Sequence, residues 1–431
     1  MNERVIKIGL LGLGTVGGGV YQVLQKNAGL ITRKAGVRLE IDRIMVRDVG
    51  RDRGLSLPPG VLTDRPEDIL ENPAIQIVVE VMGGTGPALD YVRRALRRGK
   101  SVVTANKDML AEHGKELFDL TREHKSDLLF EASVAGGVPI IRVLKQCLAA
   151  NRIEAVMGIL NGTTNYMLTR MTAEGTDFQT VLQEAQALGY AESDPTNDVE
   201  GYDAARKTAI LASIAFNTRI SFPAVYVEGI SRITAEDITY ATELGYVIKL
   251  LGIAKDTPEG IEVRTHPALL PRRHPLAAVS DVFNAIYVRG DAVGETMFYG
   301  RGAGALPTAS AVVADIMDAA RNIVHRVPGI ISCTCFEDRP LKEMGRVSCK
   351  NYLRLRVVDR PGVLAQIARV FGDNQVSLAA VTQKHSEGTK AELVLVTHEV
   401  AEQNLRGALA GLTGLDVVER VCNVIRVEGD S

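Results

Sequence analysis

The sequence predicts an α/β protein in three parts: an N-terminal doubly wound parallel sheet, a middle α+β domain and a small C-terminal βαββαβ module. Three observations carry this. Gly12-Leu13-Gly14-Thr15-Val16-Gly17 directly follows an apolar, β-branched run and opens a helix-compatible segment. Strand and helix patterns then alternate through Val134, as a parallel sheet requires. Beyond Lys350 two helical patterns are interleaved with four strand patterns in ferredoxin-like order. A chain of 431 residues exceeds one ordinary domain. The boundaries read 1–135 with a helix returning near 306–330, then 136–305, a linker over 331–349, and 350–431.

The elements follow in order. The first strand is VIKIGLL, and its glycine motif is Rossmann-type: Gly12 permits the tight turn, Gly14 lets amides approach a pyrophosphate, and Gly17 lets the helix pack on the strand. The helix N-terminus adds unpaired N–H groups and positive potential. RLEIDRIMVR is a second strand, Ile75–Gly83 a buried third, Pro87–Arg98 a helix, Ser101–Lys107 a fourth strand and Asp127–Val134 a fifth. The ribose-reading end of the second strand holds Arg47 and then Asp48. Arg47 suits a 2′-phosphate and so NADP, but equally a solvated surface, so NAD and NADP both stay open. Ligands gather at strand ends in such sheets. Gly83-Gly84-Thr85-Gly86 ends the third strand, where backbone can approach a nicotinamide; Lys107 ends the fourth and either points into the crevice or snorkels at its rim.

From Gly136 the pattern changes. An apolar helix runs through Leu148, RIEAVMGIL reads as a strand, and Asn161-Gly-Thr-Thr caps the next helix. Two hairpins follow: VIKLLGIAKD with IEVRTHPALL, and FNAIYVRG with ETMFYGRG. Gly302 precedes a helix starting near Pro307 that presents N-terminal amides and returns to the nucleotide domain.

Composition excludes several classes. A net charge of -2 gives no field for nucleic acid or an anionic membrane. No apolar window reaches the ~18 residues of a spanning helix. The glycine-interrupted start reads as a strand and not a signal peptide. Cys147, Cys333, Cys335, Cys349 and Cys422 are scattered, and the spacing of Cys333 and Cys335 does not suit a metal knuckle, so the expectation is free thiols in the cytoplasm.

The most unusual stretch is AESDPTNDVEGYDAARK, Ala191–Lys207. It presents Glu192, Asp194 and Asp198 from a loop ahead of a helical pattern, Ala204–Phe216, with Asp203 and Lys207 four residues apart on one face. Dipole complementation and an i,i+4 pair account for Asp203 and Lys207. The further acids suit a substrate with an ammonium group, and the lysine a carbonyl or hydroxyl.

This stretch resembles the signature region of homoserine dehydrogenases, as do GLGTVGGGV, TANK, EASVAGGVPII, LNGTTNYML and GRGAGALPTASAV, in order over about residues 5–330. The resemblance implies reversible NAD(P)H-dependent reduction of L-aspartate 4-semialdehyde to L-homoserine. It implies that Glu192, Asp198 and Asp203 hold the substrate, Lys207 donates the proton and Lys107 orients the substrate. Gly189 and Gly302 join the glycine motif and Thr85 at the cofactor. It also implies a Na+ site at Glu131, Val134, Gly136 and Val138: one carboxylate plus backbone carbonyls. The open sheets of the middle domain suggest a homodimer or homotetramer.

In the tail, Asp359-Arg-Pro-Gly362-Val363-Leu resembles the first loop of ACT domains, which bind amino acids. Asp359, Val363, the amides around Gly362 and the Asn374 side chain are the expected effector groups, with L-threonine the implied inhibitor; a module that only dimerises is the alternative. A 3-phosphoglycerate-type dehydrogenase is the rival enzyme, but its nucleotide motif lies mid-chain and none of the seven His here sits in a matching motif.

Overall fold

The computed structural model describes residues 4–329 and 333–429. Six strands form the first sheet: β1 (Val5–Leu11), β2 (Arg38–Met45), β3 (Leu62–Thr63), β4 (Ile75–Glu80), β5 (Ser101–Thr104) and β6 (Leu128–Leu129). They are all parallel, in the order β3-β2-β1-β4-β5-β6. The order reverses beside β1, which opens a crevice at the strand ends. Helices α1 (Thr15–Lys26), α2 (Ala28–Ala35), α3 (Glu67–Leu70), α4 (Gly86–Arg97) and α5 (Lys107–His124) connect them.

Two elements here differ from the sequence reading. The fourth strand stops at Thr104, and Lys107 opens α5, because Asn106 caps that helix by accepting from the Met109 amide. The fifth strand extends only over Leu128–Leu129. Both the amide and the hydroxyl of Ser133 fold back onto the Phe130 carbonyl, and Ala135 and Gly136 take left-handed φ of 53° and 50°.

The middle of the chain contributes β7 (Ile153–Ile159), α6 (Gly162–Glu174), α7 (Phe178–Ala187), α8 (Thr196–Val199), α9 (Tyr202–Ala215), β8 (Tyr226–Val227), α10 (Ala235–Glu243), β9 (Tyr246–Thr257), β10 (Gly260–Pro271) and β11 (Phe283–Gly290). β9 and β10 pair as an antiparallel hairpin along their whole length, as expected for consecutive strand patterns. Next come β12 (Gly294–Arg301) and α11 (Ala305–His325). α11 returns to the first sheet's core through Ala309, Val312, Ile316 and Ala320. It packs so closely on α1 that a Cβ on Gly19 would meet the Ala305 carbonyl at 2.4 Å.

Residues 331 and 332 of the expected linker lie outside the described residues. The rest of that stretch is bound to its surroundings: Glu337 bridges to Thr218, the Ile261 amide donates to the Pro340 carbonyl, and the Lys342 amide donates to the Ile261 carbonyl. The tail then adds β13 (Ser348–Val358), α12 (Val363–Asp373), β14 (Leu378–Glu387), β15 (Lys390–Thr397), β16 (Val400–Ala401), α13 (Glu402–Thr413) and β17 (Val418–Val427) around its own core of Leu353, Ile367, Phe371 and Leu405.

The chain divides into two compact units. One holds residues up to Ile153, Ala209–Ala224 and Arg289–Asp338; the other holds Glu154–Thr208, Val225–Val288 and the chain from Arg339. In the second unit the C-terminal module is not a bead on a string. β17 pairs in parallel with β10, Ala268 opposite Arg426, giving the order β11-β7-β9-β10-β17-β13-β15-β14. Charged groups line this seam: Arg264 binds Glu262 at 2.6 Å and Glu428 at 2.5 Å, all three buried.

Candidate active site

The glycine turn has the shape that a phosphate cradle requires. Gly12 takes φ 102°, and its amide is tied to the Met45 carbonyl. A Cβ on Gly17 would strike the Gly12 carbonyl at 2.2 Å, so only glycine allows α1 to sit this close to β1. A Cβ on Gly14, by contrast, would meet no heavy atom within 4 Å. That open space lies at the N-terminus of α1, which has no side-chain cap and no acid in its first turn. Unpaired amides beside open space fit a dinucleotide pyrophosphate. Leu13 is buried, Thr15 exposed and Val16 half-buried, so they contribute backbone and not chemistry. Arg47 stands exposed just beyond β2, while the Asp48 carboxylate accepts from the Gly50 amide at 2.9 Å.

Sequence reasoning missed the residue that organises the neighbouring loop. Glu80, fully buried at the end of β4, accepts from the amides of Met82 and Gly83 and from the Thr104 hydroxyl at 2.6 Å. Thr104 accepts from the Asn106 amide, and the Asn106 side chain donates to the Gly84 carbonyl at 2.7 Å. One buried carboxylate thus holds the Gly83–Gly86 turn, where Thr85 precedes α4, and the turn that launches Lys107 at the start of α5. Its signal was an acid closing the otherwise apolar run IQIVVE.

In the second unit the acidic stretch builds a hydrogen-bonded cluster. Lys207 donates to Asp203 at 2.6 Å and to the Leu160 carbonyl at 2.8 Å. Asn161, buried at the N-cap of α6, donates its amide to Asp198 at 2.7 Å and to Asp203 at 2.9 Å. Its oxygen meanwhile accepts from the Thr164 amide at 2.9 Å. The structure therefore brings Asp198, Asp203 and Lys207 together and adds Asn161, which sequence reading saw only as a cap. With side chains 10% and 13% exposed, Asp203 and Lys207 are not the solvated i,i+4 pair that their spacing alone would suggest. Two of the three ammonium donors of Lys207 are used, leaving one for a ligand. Glu192 stands exposed on the loop and contributes no side-chain bond to the cluster. Gly189 takes φ 74° in the turn that ends α7, donating to the Gln186 carbonyl while the Tyr190 amide donates to Ala185.

A glycine cradle on a parallel sheet and a lysine clamped among carboxylates belong to a dehydrogenase of a small polar substrate. Residues 12–131 match the family "Homoserine dehydrogenase, NAD binding domain", 139–317 "Homoserine dehydrogenase" and 351–412 "ACT domain". A homoserine dehydrogenase of Neisseria gonorrhoeae is 45% identical over 432 residues, which cover 99% of each chain. The crystal structure of a homoserine dehydrogenase from Thiobacillus denitrificans matches at TM-score 0.94 and 46% identity, again over 99% of each chain. The chain belongs to the homoserine dehydrogenase family. A hyperthermophilic archaeal homoserine dehydrogenase in complex with NADPH also matches, at TM-score 0.63 and 27% identity, over 73% of this chain and 98% of its own. As a homoserine dehydrogenase, this protein is an NAD(P)-dependent oxidoreductase that interconverts L-homoserine and L-aspartate 4-semialdehyde, and it carries an ACT domain.

Glu131 lies in the same buried turn as Val134, Gly136 and Val138. Its carboxylate accepts from the amides of Ile140, Ile141 and Arg142 at 2.6, 2.8 and 2.8 Å, capping the helical turn that follows. Gly136 has a separate constraint, since a Cβ there would meet the Gly302 carbonyl at 2.2 Å. Asp315, buried beside this turn, accepts from the Glu131 amide and from Arg142, and burial pushes its carboxyl up to about 7.

In the ACT domain, Gly362 takes φ 86° at the N-terminus of α12, with nothing within 4 Å of a Cβ placed there. Asp359 is exposed and accepts from Gln383 at 3.4 Å. The Val363 side chain is buried in the domain's core, so only its backbone is available. The Asn374 amide is engaged with the Val370 carbonyl at 2.8 Å.

Proposed function

We propose that Lys207 is the group that exchanges a proton with the reacting oxygen of L-aspartate 4-semialdehyde or L-homoserine, and that Asp203 and Asn161 hold it in place. The single observation that carries this reading is the Lys207 ammonium, bound by Asp203 and the Leu160 carbonyl with one donor left over. The chemistry a nicotinamide supplies when bound is hydride transfer to or from the carbonyl carbon. In the reductive direction Lys207 stabilises the growing alkoxide and gives up its proton, so that the aldehyde gains one hydride and one proton. In the oxidative direction the neutral amine takes the hydroxyl proton. Glu192 and Asp198 bind the substrate ammonium, Asp203 keeps Lys207 oriented while contributing charge to the same pocket, and Lys107 orients the substrate. Gly12, Gly14, Gly17, Thr85, Gly189 and Gly302 line the cofactor.

The same reading extends to the finer identities. NADP is the preferred cofactor: Arg47 stands exposed just beyond β2, and the archaeal relative was solved with NADPH. Na+ binds at Glu131 and the carbonyls of Val134, Gly136 and Val138, and L-threonine binds the ACT domain at Gly362, where a Cβ would meet only open space. The protein acts in the cytoplasm as a homodimer or homotetramer. Among the described residues no helix is long and apolar enough to cross a membrane.

Homoserine-dependent reduction of NAD and of NADP, each with and without threonine, tests this reading. Turnover with both, a higher kcat/KM for NADP and inhibition by threonine are expected. Equal kcat/KM for both cofactors would remove the role of Arg47, and a full-length enzyme indifferent to threonine would remove the effector.

A further inference from the structure

Cys333 and Cys335, which the reaction does not use, lie in a setting unlike that of the other cysteines. Both line a cavity of about 120 Å³ in the first unit, walled by Leu110, Phe118, Ile210 and Ser213. The Arg219 guanidinium donates to the Cys333 sulfur at 3.9 Å, and the Cys335 thiol reaches the Ser213 carbonyl at 3.7 Å. Lys145 lies over the rings of Phe118 and Phe130, 5.6 and 5.3 Å from their centroids, and faces the same cavity. Glu112, Lys115 and Arg219 also stand on its wall.

The two thiols stand two residues apart on the wall of that one cavity. The neighbouring Cys335 thiol is the main influence holding the Cys333 thiol below its ordinary range, against the opposing effect of burial, with Arg219 and Lys145 adding to it. Cys333 is likewise the main cause that pushes Cys335 up. One sulfur is therefore prepared as a thiolate and its neighbour stays protonated, which is the division of labour between an attacking and a resolving cysteine. Residues two apart span at most about 7 Å, within reach of the separation a disulfide tolerates. Both side chains are half-buried, open enough for a small oxidant. Cys349, in contrast, is buried and pushed up to about 12 by burial, while Cys147 is exposed.

We propose that Cys333 and Cys335 form a peroxide-responsive dithiol. The Cys333 thiolate attacks one oxygen of hydrogen peroxide; the O–O bond breaks, hydroxide leaves, and the sulfur is oxidised to a sulfenic acid. The Cys335 sulfur then attacks Cys333, an S–S bond forms, and the sulfenic oxygen leaves as water carrying the Cys335 proton. The thiol pair has lost two electrons and the peroxide has gained them.

The test uses the full-length wild-type chain, with Cys147 as internal reference. With limiting iodoacetamide at mildly acid pH, mass spectrometry should find Cys333 alkylated at least about 10-fold faster than Cys147, the gain a lowered thiol pKa confers. Hydrogen peroxide should convert Cys333 and Cys335 together into one intrachain disulfide that dithiothreitol reverses. In Cys335→Ser the reaction should stop at a sulfenic acid on Cys333, trapped by dimedone. Arg219→Gln should slow alkylation of Cys333 without altering that of Cys147. Alkylation of Cys333 no faster than Cys147, or peroxide leaving the two sulfurs independently oxidised and never joined, would overturn the proposal; either result is readable in the wild type, whatever the variants do.

Discussion

Replacing Asn161 separates two roles that one side chain combines. Asn161→Ala removes the cap on α6, typically ~1 kcal/mol, and two donors to carboxylates at 2.7 and 2.9 Å, about 1.5–3 kcal/mol each for hydrogen bonds to charged groups. These do not add fully, because Asp203 keeps Lys207 at 2.6 Å, so a loss of about 3 kcal/mol is expected from urea unfolding. Asn161→Ser keeps a good cap and loses the donors, so it should recover about 1 kcal/mol of that stability. Its kcat/KM for homoserine should nevertheless fall at least ~10-fold, because Asp198 and Asp203 are no longer held apart by one amide; tenfold corresponds to ~1.4 kcal/mol of transition-state stabilisation. If Asn161→Ser were as active as the parent enzyme, the amide would be only a cap and the cluster would not depend on it.

Three further outcomes are expected. Gly17→Ala should lower stability by about 1–3 kcal/mol, because its Cβ falls 2.2 Å from the Gly12 carbonyl, and this is read from the thermal midpoint. Gly14→Ala should leave that midpoint unchanged and raise the cofactor KM, because its Cβ enters only the space open to the pyrophosphate. Acid should act on stability through buried groups of opposite sign. Burial, then the charges of Arg426 and Arg264, push His266 down to about 3 from 6.5, so the unfolded chain binds a proton that the folded one refuses as pH falls through that window. Glu428 opposes its own burial through Arg264 and Lys255 and is held below 4.5, so its contribution is present above that value and lost below it. Asp315, held up to about 7 by burial, takes up a proton on folding over much of the same range and opposes His266, so the readout is a difference: between pH 6.5 and 4.5, His266→Gln should gain unfolding free energy relative to the parent enzyme as the pH falls.

The legible parts of this enzyme are those written in adjacent residues. Gly12, Gly14 and Gly17 lie within one turn, the β9–β10 hairpin is two strand patterns joined by a short turn, and Asp203 and Lys207 share one helical face. The missed parts depend on partners far along the chain. Glu80 reads as one more strand residue until Thr104 and Asn106 fold beside it, 24 residues from Glu80 to Thr104. The amide of Asn161 meets Asp203, 42 residues later. No local pattern reveals that the Ile140–Arg142 amides return to the Glu131 side chain. Least legible was the β10–β17 seam. A self-contained βαββαβ pattern gives no sign that its last strand also extends another sheet, although Arg264 buried in β10 with its partner Glu428 was the hint.

The most direct measurement is the turnover of Lys207→Ala with homoserine, taken together with cofactor affinity from fluorescence titration. The account predicts a kcat lower by at least ~10²-fold, the low end of general acid–base catalysis, with cofactor affinity nearly unchanged. A variant turning over at a rate comparable to the parent enzyme would contradict it and return the proton to another group.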